Sequence, residues 1–258
     1  MTGKVYLIGA GPGDPELLTL KAARLLARAD IVLHDALVSR EVLALISPPA
    51  EVIDVGKRAG RKLLTQEEIN ALLVSYAKTR GIVIRLKGGD PTIFGRAGEE
   101  IESLRKAGVD YEIVPGITAA LGAAAAAGIS LTDRRVASQI LLTTFSRGTD
   151  GSVMDWGCVT SATTLVLYMP GAEYAEVSER LLEGGLPAEL PCVIVSNAMG
   201  SQQQVRWSTV GRLASEEKLP APALLIVGRV ASRDIDEMSA RFWNGDGRNI
   251  DSNHVSVI

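Results

Sequence analysis

The chain has 258 residues, of which 47% are hydrophobic and 22% charged, with a formal net charge of −3. That is enough apolar material for one large core or two modest ones, and the near-balanced charge argues against a nucleic-acid binder acting through bulk positive charge while permitting a local basic pocket. No apolar run approaches bilayer-spanning length and the start, MTGKVYLIGAG, runs straight into a strand rather than a signal peptide, so a soluble cytoplasmic protein with no membrane partner is expected.

Val5 to Ile8 read as a short buried strand ending in Gly9-Ala10-Gly11-Pro12-Gly13-Asp14-Pro15. The glycines at 9, 11 and 13 break the dinucleotide spacing G-x-G-x-x-G, and Pro12 removes an amide that a phosphate nest would use. The loop is therefore expected to wall a ligand without phosphates. Leu17, Leu18, Leu20, Ala23, Leu25 and Leu26 recur at helical spacing, with Asp14 placed to help cap the start. Asp30 to His34 is the next strand, with Asp35 at its C-terminal end. A third strand, Glu51 to Val55, runs into Gly56-Lys57-Arg58-Ala59-Gly60-Arg61-Lys62, and Thr65-Gln66-Glu67-Glu68 is a capping box opening a helix to about Arg80. The run Ile82, Val83, Ile84 and Leu86 has the pattern of a buried strand and stops at Gly88-Gly89-Asp90-Pro91. A helix from Arg96 to about Lys106 and a strand from Tyr111 to Val114 follow. Pro115-Gly116-Ile117-Thr118 then leads into an alanine-rich helix, Ala119 to Ala127, whose small side chains allow close packing on a neighbour or a ligand.

This alternation predicts a mostly parallel sheet with covering helices, an α/β domain. The polar segment from Gly128 to Ser138 reads as a linker, which divides the chain into 1–130, 131–243 and a polar, loosely ordered tail, 244–258. Strands are expected over Gln139 to Phe145, Thr164 to Met169, Pro191 to Ser196, Gln204 to Thr209 and Ala223 to Val227, with helices over Tyr174 to Glu183 and Arg212 to Glu217. The second domain thus mixes strand and helix around another sheet. Cys158 and Cys192 are isolated and the only histidines are His34 and His254, so no zinc site or disulfide framework is indicated.

Two glycine loops at strand C-termini of one open sheet mark where such folds bind ligands. At the second, Gly88 and Gly89 allow bare backbone to meet a ligand, Asp90 supplies an acceptor and Pro91 fixes the exit; taken alone, the same four residues also suit an ordinary strand-to-helix turn. Asp35 is the best candidate general base, since an aspartate ending a buried strand beside His34 can be partly desolvated; a loop carboxylate or helix N-cap is the plain alternative. Lys57 is the matching candidate proton donor, in a basic run with Arg58, Arg61 and Lys62 that on composition alone is solvated surface.

The segments GAGPGDPELLTLKA, VLHDALVS, VGKRAG, RLKGGDPTIFGRAGEE, VPGITAA and APALLIVGRV, in this order, resemble the uroporphyrinogen-III C-methyltransferases of the S-adenosylmethionine-dependent tetrapyrrole methylase family, over roughly residues 4 to 232. The resemblance implies two α/β domains with the cofactor in the cleft between them, and a homodimer. It implies methylation of two ring carbons of uroporphyrinogen III, through precorrin-1 to precorrin-2, in siroheme or cobalamin synthesis, with S-adenosylhomocysteine released. The phosphate-free cofactor suits Pro12, Gly88, Gly89 and Asp90, and by resemblance Ile93, Thr118, Ala119, Met169 and Ala198 complete its site, although Met169 and Ile93 also read as plain core. A tetrapyrrole with eight carboxylates gives Arg58, Arg61 and Lys62 a reason to line a pocket, which Arg96, Arg134 and Arg135 could join. No dehydrogenase or ferrochelatase segment precedes residue 1, so the chain is not expected to complete siroheme by itself.

Departures from the family pattern fall mainly in the second half: Ser130-Leu131-Thr132-Asp133-Arg134 stands for Pro-Leu-Thr-His-Arg, Leu142-Thr143-Thr144-Phe145 for Val-Thr-Gly-His and Ser196-Asn197-Ala198 for Glu-Asn-Gly, while Asp35-Ala36-Leu37-Val38-Ser39 replaces Asp-Arg-Leu-Val-Ser. Two alternatives stay open: another precorrin methyltransferase of cobalamin synthesis, since the wider family shares the Gly-Pro-Gly-Asp and Gly-Gly-Asp-Pro loops, or a cofactor-binding sensor without turnover, which only the altered Thr132 to Phe145 region favours.

Overall fold

A computed structural model describes residues 3–56, 64–145, 156–160, 162–171 and 174–235. The first half runs β1 (Lys4–Gly9), α1 (Leu20–Leu26), β2 (Ile31–His34), α2 (Arg40–Leu43), β3 (Glu51–Asp54), α3 (Gln66–Ala77), β4 (Ile82–Lys87), α4 (Ala97–Lys106), β5 (Tyr111–Val114) and α5 (Ala119–Ala127). Its five strands form one parallel sheet in the order β3-β2-β4-β1-β5. Apolar residues of both phases along β1, β2 and β4 are buried, because each face is covered. Val5, Leu7, Leu33 and Val83 pack under Ile69 and Leu73 of α3, and Ile8, Val32, Ile84 and Leu86 under Leu26 of α1 and Val42 of α2. Because the strands are parallel, the exits of β1, β2, β3, β4 and β5 share one edge, and both glycine loops and Asp35 lie along it.

The second half runs β6 (Gln139–Thr144), β7 (Thr163–Tyr168), α6 (Tyr174–Glu183), β8 (Pro191–Ser196), β9 (Gln204–Thr209) and β10 (Ala223–Val227). Its sheet, β6-β7-β10-β8-β9, is mixed: β6 and β7 are parallel, and the other neighbours antiparallel. One face packs on α6 through Val177 and Leu181; the other receives Ala120, Ala123 and Ala124 of α5. On its other side Gly122 of α5 meets Pro12, where an added Cβ would stand 2.7 Å from the proline Cβ. The alanine-rich composition therefore serves close approach on two sides, and α5 joins the halves.

Most expected elements are present within a residue or two, with corrections at several ends. The helix expected from Leu17 is a 3-10 turn, Pro15–Leu17, then extended Leu18 and Thr19, then α1. Asp14 caps the turn through Glu16 N, and Thr19 caps α1 through Ala22 N. The Thr65–Glu68 capping box is formed, but α3 stops at Ala77 rather than Arg80. The segment read as a helix over Arg212 to Glu217 is a 3-10 helix, Val210–Ser215, and its Gly211 lies too close to Ala188 for a larger residue. Short α2, capped by Ser39, was not anticipated. Lys57, Arg58, Arg61, Lys62 and the tail 244–258 lie outside the described residues. Among the described residues no helix is long and apolar enough to cross a membrane.

Candidate functional site

The exits of β1, β4 and β5 close on one another through backbone. Gly11 and Gly89 exchange both hydrogen bonds, Gly11 N to Gly89 O at 3.1 Å and Gly89 N to Gly11 O at 2.8 Å. A Cβ on Gly9 would stand 2.5 Å from Gly89 O and 2.7 Å from Gly116 Cα, so the approach requires glycine. Asp90, 8% exposed, holds the loops together: Oδ1 accepts from Thr92 N (2.8 Å) and Thr92 Oγ1 (2.5 Å), and Oδ2 from Gly116 N (2.9 Å). Through these three bonds Asp90 shapes the loops.

The second half supplies the opposing wall. At the end of β7, Tyr168 Oη lies 2.6 Å from Thr118 Oγ1 and accepts from Ala120 N at 3.1 Å, and its ring packs on Phe94 with centroids 4.8 Å apart. Met169 follows with 54% exposure, which contradicts plain core; Ile93 and Ala198 do pack against the apolar cluster shared by α5 and the second sheet. Among the described residues, the non-glycine positions with positive φ are Phe94, Arg96, Met169, Asn197 and Met199, all at the exits of β4, β7 and β8. Backbone strain of this kind collects where a structure presents ligand-facing groups.

Asp35 is tied into a charged network that the sequence did not reveal. Arg85 Nη2 donates to Asp35 Oδ1, and Asp35 Oδ2 lies 4.0 Å from Lys87 Nζ. Arg85 Nε and Lys87 Nζ each donate to Glu100 Oε1 at 2.9 Å. Arg85, Lys87 and Glu100 are almost wholly buried, while the Asp35 side chain keeps 30% exposure. Burial pulls the Lys87 pKa down, Arg85 adds to this, and the two carboxylates only partly compensate. For Arg85 burial acts in the same sense, but Asp35 and Glu100 outweigh it and raise its pKa. His34 meets the Asp35 backbone carbonyl at 3.0 Å, not its carboxylate.

A cavity of about 390 Å³ opens here, lined by Asp35, Leu37, Arg85, Lys87, Phe94 and Arg96 among others. Arg96 is half exposed and forks onto Glu99, Nε to Oε1 and Nη2 to Oε2 both at 2.7 Å, which raises its pKa. Asp35 and Arg96 therefore line one cavity. Arg134 and Arg135 do not: they follow the far end of α5, about 13 Å of helix from Thr118, and Arg135 pairs with Asp133.

The floor offers bare backbone without a phosphate nest, apolar cover at Ile93 and Ala119, and polar groups at Thr118. These fit a nucleoside-bearing ligand that carries no phosphate. The description "Tetrapyrrole (Corrin/Porphyrin) Methylases" covers residues 4–214 of the chain by family model. A uroporphyrinogen-III C-methyltransferase of Paracoccus denitrificans is 49% identical over 89% of the chain and 82% of its own length. A siroheme synthase of Actinobacillus pleuropneumoniae is 46% identical over 91% of the chain, which spans about half (49%) of that relative's length. The crystal structure of a Thermus thermophilus uroporphyrin-III C-methyltransferase matches with a TM-score of 0.76 and 44% identity, covering 90% of this chain and 94% of that one. The Thermus enzyme complexed with S-adenyl homocysteine matches with a TM-score of 0.76 at 38% identity, over 88% and 93%.

Proposed function

The chain belongs to the tetrapyrrole (corrin/porphyrin) methylases, and from that premise we propose that it methylates two ring carbons of uroporphyrinogen III, forming precorrin-2 through precorrin-1 for siroheme or cobalamin synthesis. The observation that carries the proposal is the adjacency, on one sheet edge, of a phosphate-free glycine floor and a cavity where a half-buried aspartate sits among buried cations.

Bound S-adenosylmethionine supplies an electrophilic methyl group. The backbone of Gly88 and Gly89, with Pro12, Asp90, Ile93, Thr118, Ala119, Met169 and Ala198, forms the cofactor wall. Leu37, 65% exposed, and Phe94, 42% exposed, offer apolar surface to a macrocycle, and Arg96 with the basic run Arg58 and Arg61 meets its carboxylates. Once a ring carbon is methylated, the ring system must lose one proton; Arg85 turns the Asp35 carboxylate so that Oδ2 takes it and passes it to solvent, which balances the transfer. The same proposal divides the chain near residue 130, after α5, and has it act as a cytoplasmic homodimer.

Anaerobic turnover of uroporphyrinogen III by wild type and Asp35→Asn tests the assignment. Turnover falls by about 10² to 10⁴ in the variant while S-adenosylhomocysteine affinity stays close to wild type. Equal loss of both would make Asp35 a structural residue.

A further inference from the structure

We propose that Tyr168 is a positioning residue for the cofactor, its hydroxyl holding the start of α5 and its ring holding the Phe94 loop from across the cleft. The first turn of any α-helix leaves backbone N–H groups without helical partners, and the N-cap side chain ordinarily satisfies one of them. Thr118 stands at the N-cap of α5 yet makes no capping bond with its own side chain. The Tyr168 hydroxyl takes that role: it accepts from Ala120 N at 3.1 Å and shares a 2.6 Å hydrogen bond with Thr118 Oγ1. The cap of a helix in the first half therefore comes from a strand of the second.

Thr118 and Ala119 lie under this cap, Ile93 precedes the ring-packed Phe94, and Met169 is the next residue along the chain, held at φ 48°. One side chain thus touches or adjoins four of the positions assigned to the cofactor. Tyr168 is 9% exposed, so the place of its ring is set by packing, and the hydroxyl adds direction. This inference rests on the cofactor site proposed above.

Tyr168→Phe keeps the ring and its contact with Phe94 and deletes only the hydroxyl. S-adenosylhomocysteine affinity, measured by calorimetry, falls about fivefold, and the KM for S-adenosylmethionine rises with little change in kcat. Thr118→Val produces a similar loss, and the double variant loses little more than either single one, because the two hydroxyls act as a pair. Unchanged or tighter S-adenosylhomocysteine binding by Tyr168→Phe overturns the proposal, including the case in which the variant melts earlier but binds as wild type does, since that is the mark of a purely structural hydroxyl. Fully additive losses overturn it as well. Failure of the wild-type protein to bind S-adenosylhomocysteine would instead remove the cofactor site itself.

Discussion

Arg85 and Lys87 stand two residues apart in a strand that is otherwise apolar, so the pleat turns both to one face, where Glu100 of α4 collects them. A buried cation pair is tolerated only with such partners. Lys87 also gives the stability a pH signature. Its folded-state pKa lies below 10.5, so between the folded value and 10.5 the unfolded chain holds a proton that the folded chain lacks. Unfolding free energy from this group therefore rises with pH across that window, and the penalty is present in full below it. Urea denaturation along the alkaline limb should show a steeper rise for wild type than for Lys87→Met; equal slopes would mean that Lys87 titrates alike in both states. Asp90→Ala deletes three hydrogen bonds, two within the loop after β4 and one that ties it to the loop after β5. It should lower stability by about 1–3 kcal/mol and weaken S-adenosylhomocysteine binding together, by melting and calorimetry. Weaker binding at unchanged stability would show a direct ligand contact instead.

The loops after β1, β4 and β5 act as one element, since Gly9 and Gly116 leave no space for a side chain where they cross and Gly89 holds a φ of 65°. Gly9→Ala must push backbone apart, at a cost of about 1–3 kcal/mol or more, and should abolish S-adenosylhomocysteine binding; a normally binding variant would mean that the crossing is dispensable. In the second sheet, burial pushes the Cys192 thiol up to about 12, while Cys158 is exposed. A thiol reagent should label Cys158 in the native protein and Cys192 only after unfolding. The strands were legible because their apolar runs are bounded by glycine and proline, and the glycine loops because their spacing excludes a phosphate nest. The start of α1 was not: Leu17 and Leu18 continue the helical spacing, although Thr19 offers the better cap. Arg85 and Lys87 carried a signal, two cations inside IVIRLK, but their partners Asp35 and Glu100 come together only through the fold. Tyr168 gave no signal, because its bonds span 48 and 50 residues.

At the scale of the molecule, a parallel sheet and a mixed sheet meet through α5, and the carboxyl edge of the first faces Tyr168, Met169 and Ala198 of the second. The departures at Thr132 to Phe145 fall on the segment after α5 and on edge strand β6, whose end pairs with Tyr168 (Phe145 N to Tyr168 O, 3.4 Å), but not on the glycine loops. Cofactor binding at those loops should therefore survive them, and the number of methyl transfers reports whether the second half still orients the macrocycle. The direct test is anaerobic incubation of the protein with S-adenosylmethionine and freshly generated uroporphyrinogen III, following product mass over time. A gain of two methyl groups is the predicted result. No gain, with S-adenosylmethionine bound and intact, would contradict the assignment and point to a different tetrapyrrole or to a sensor without turnover.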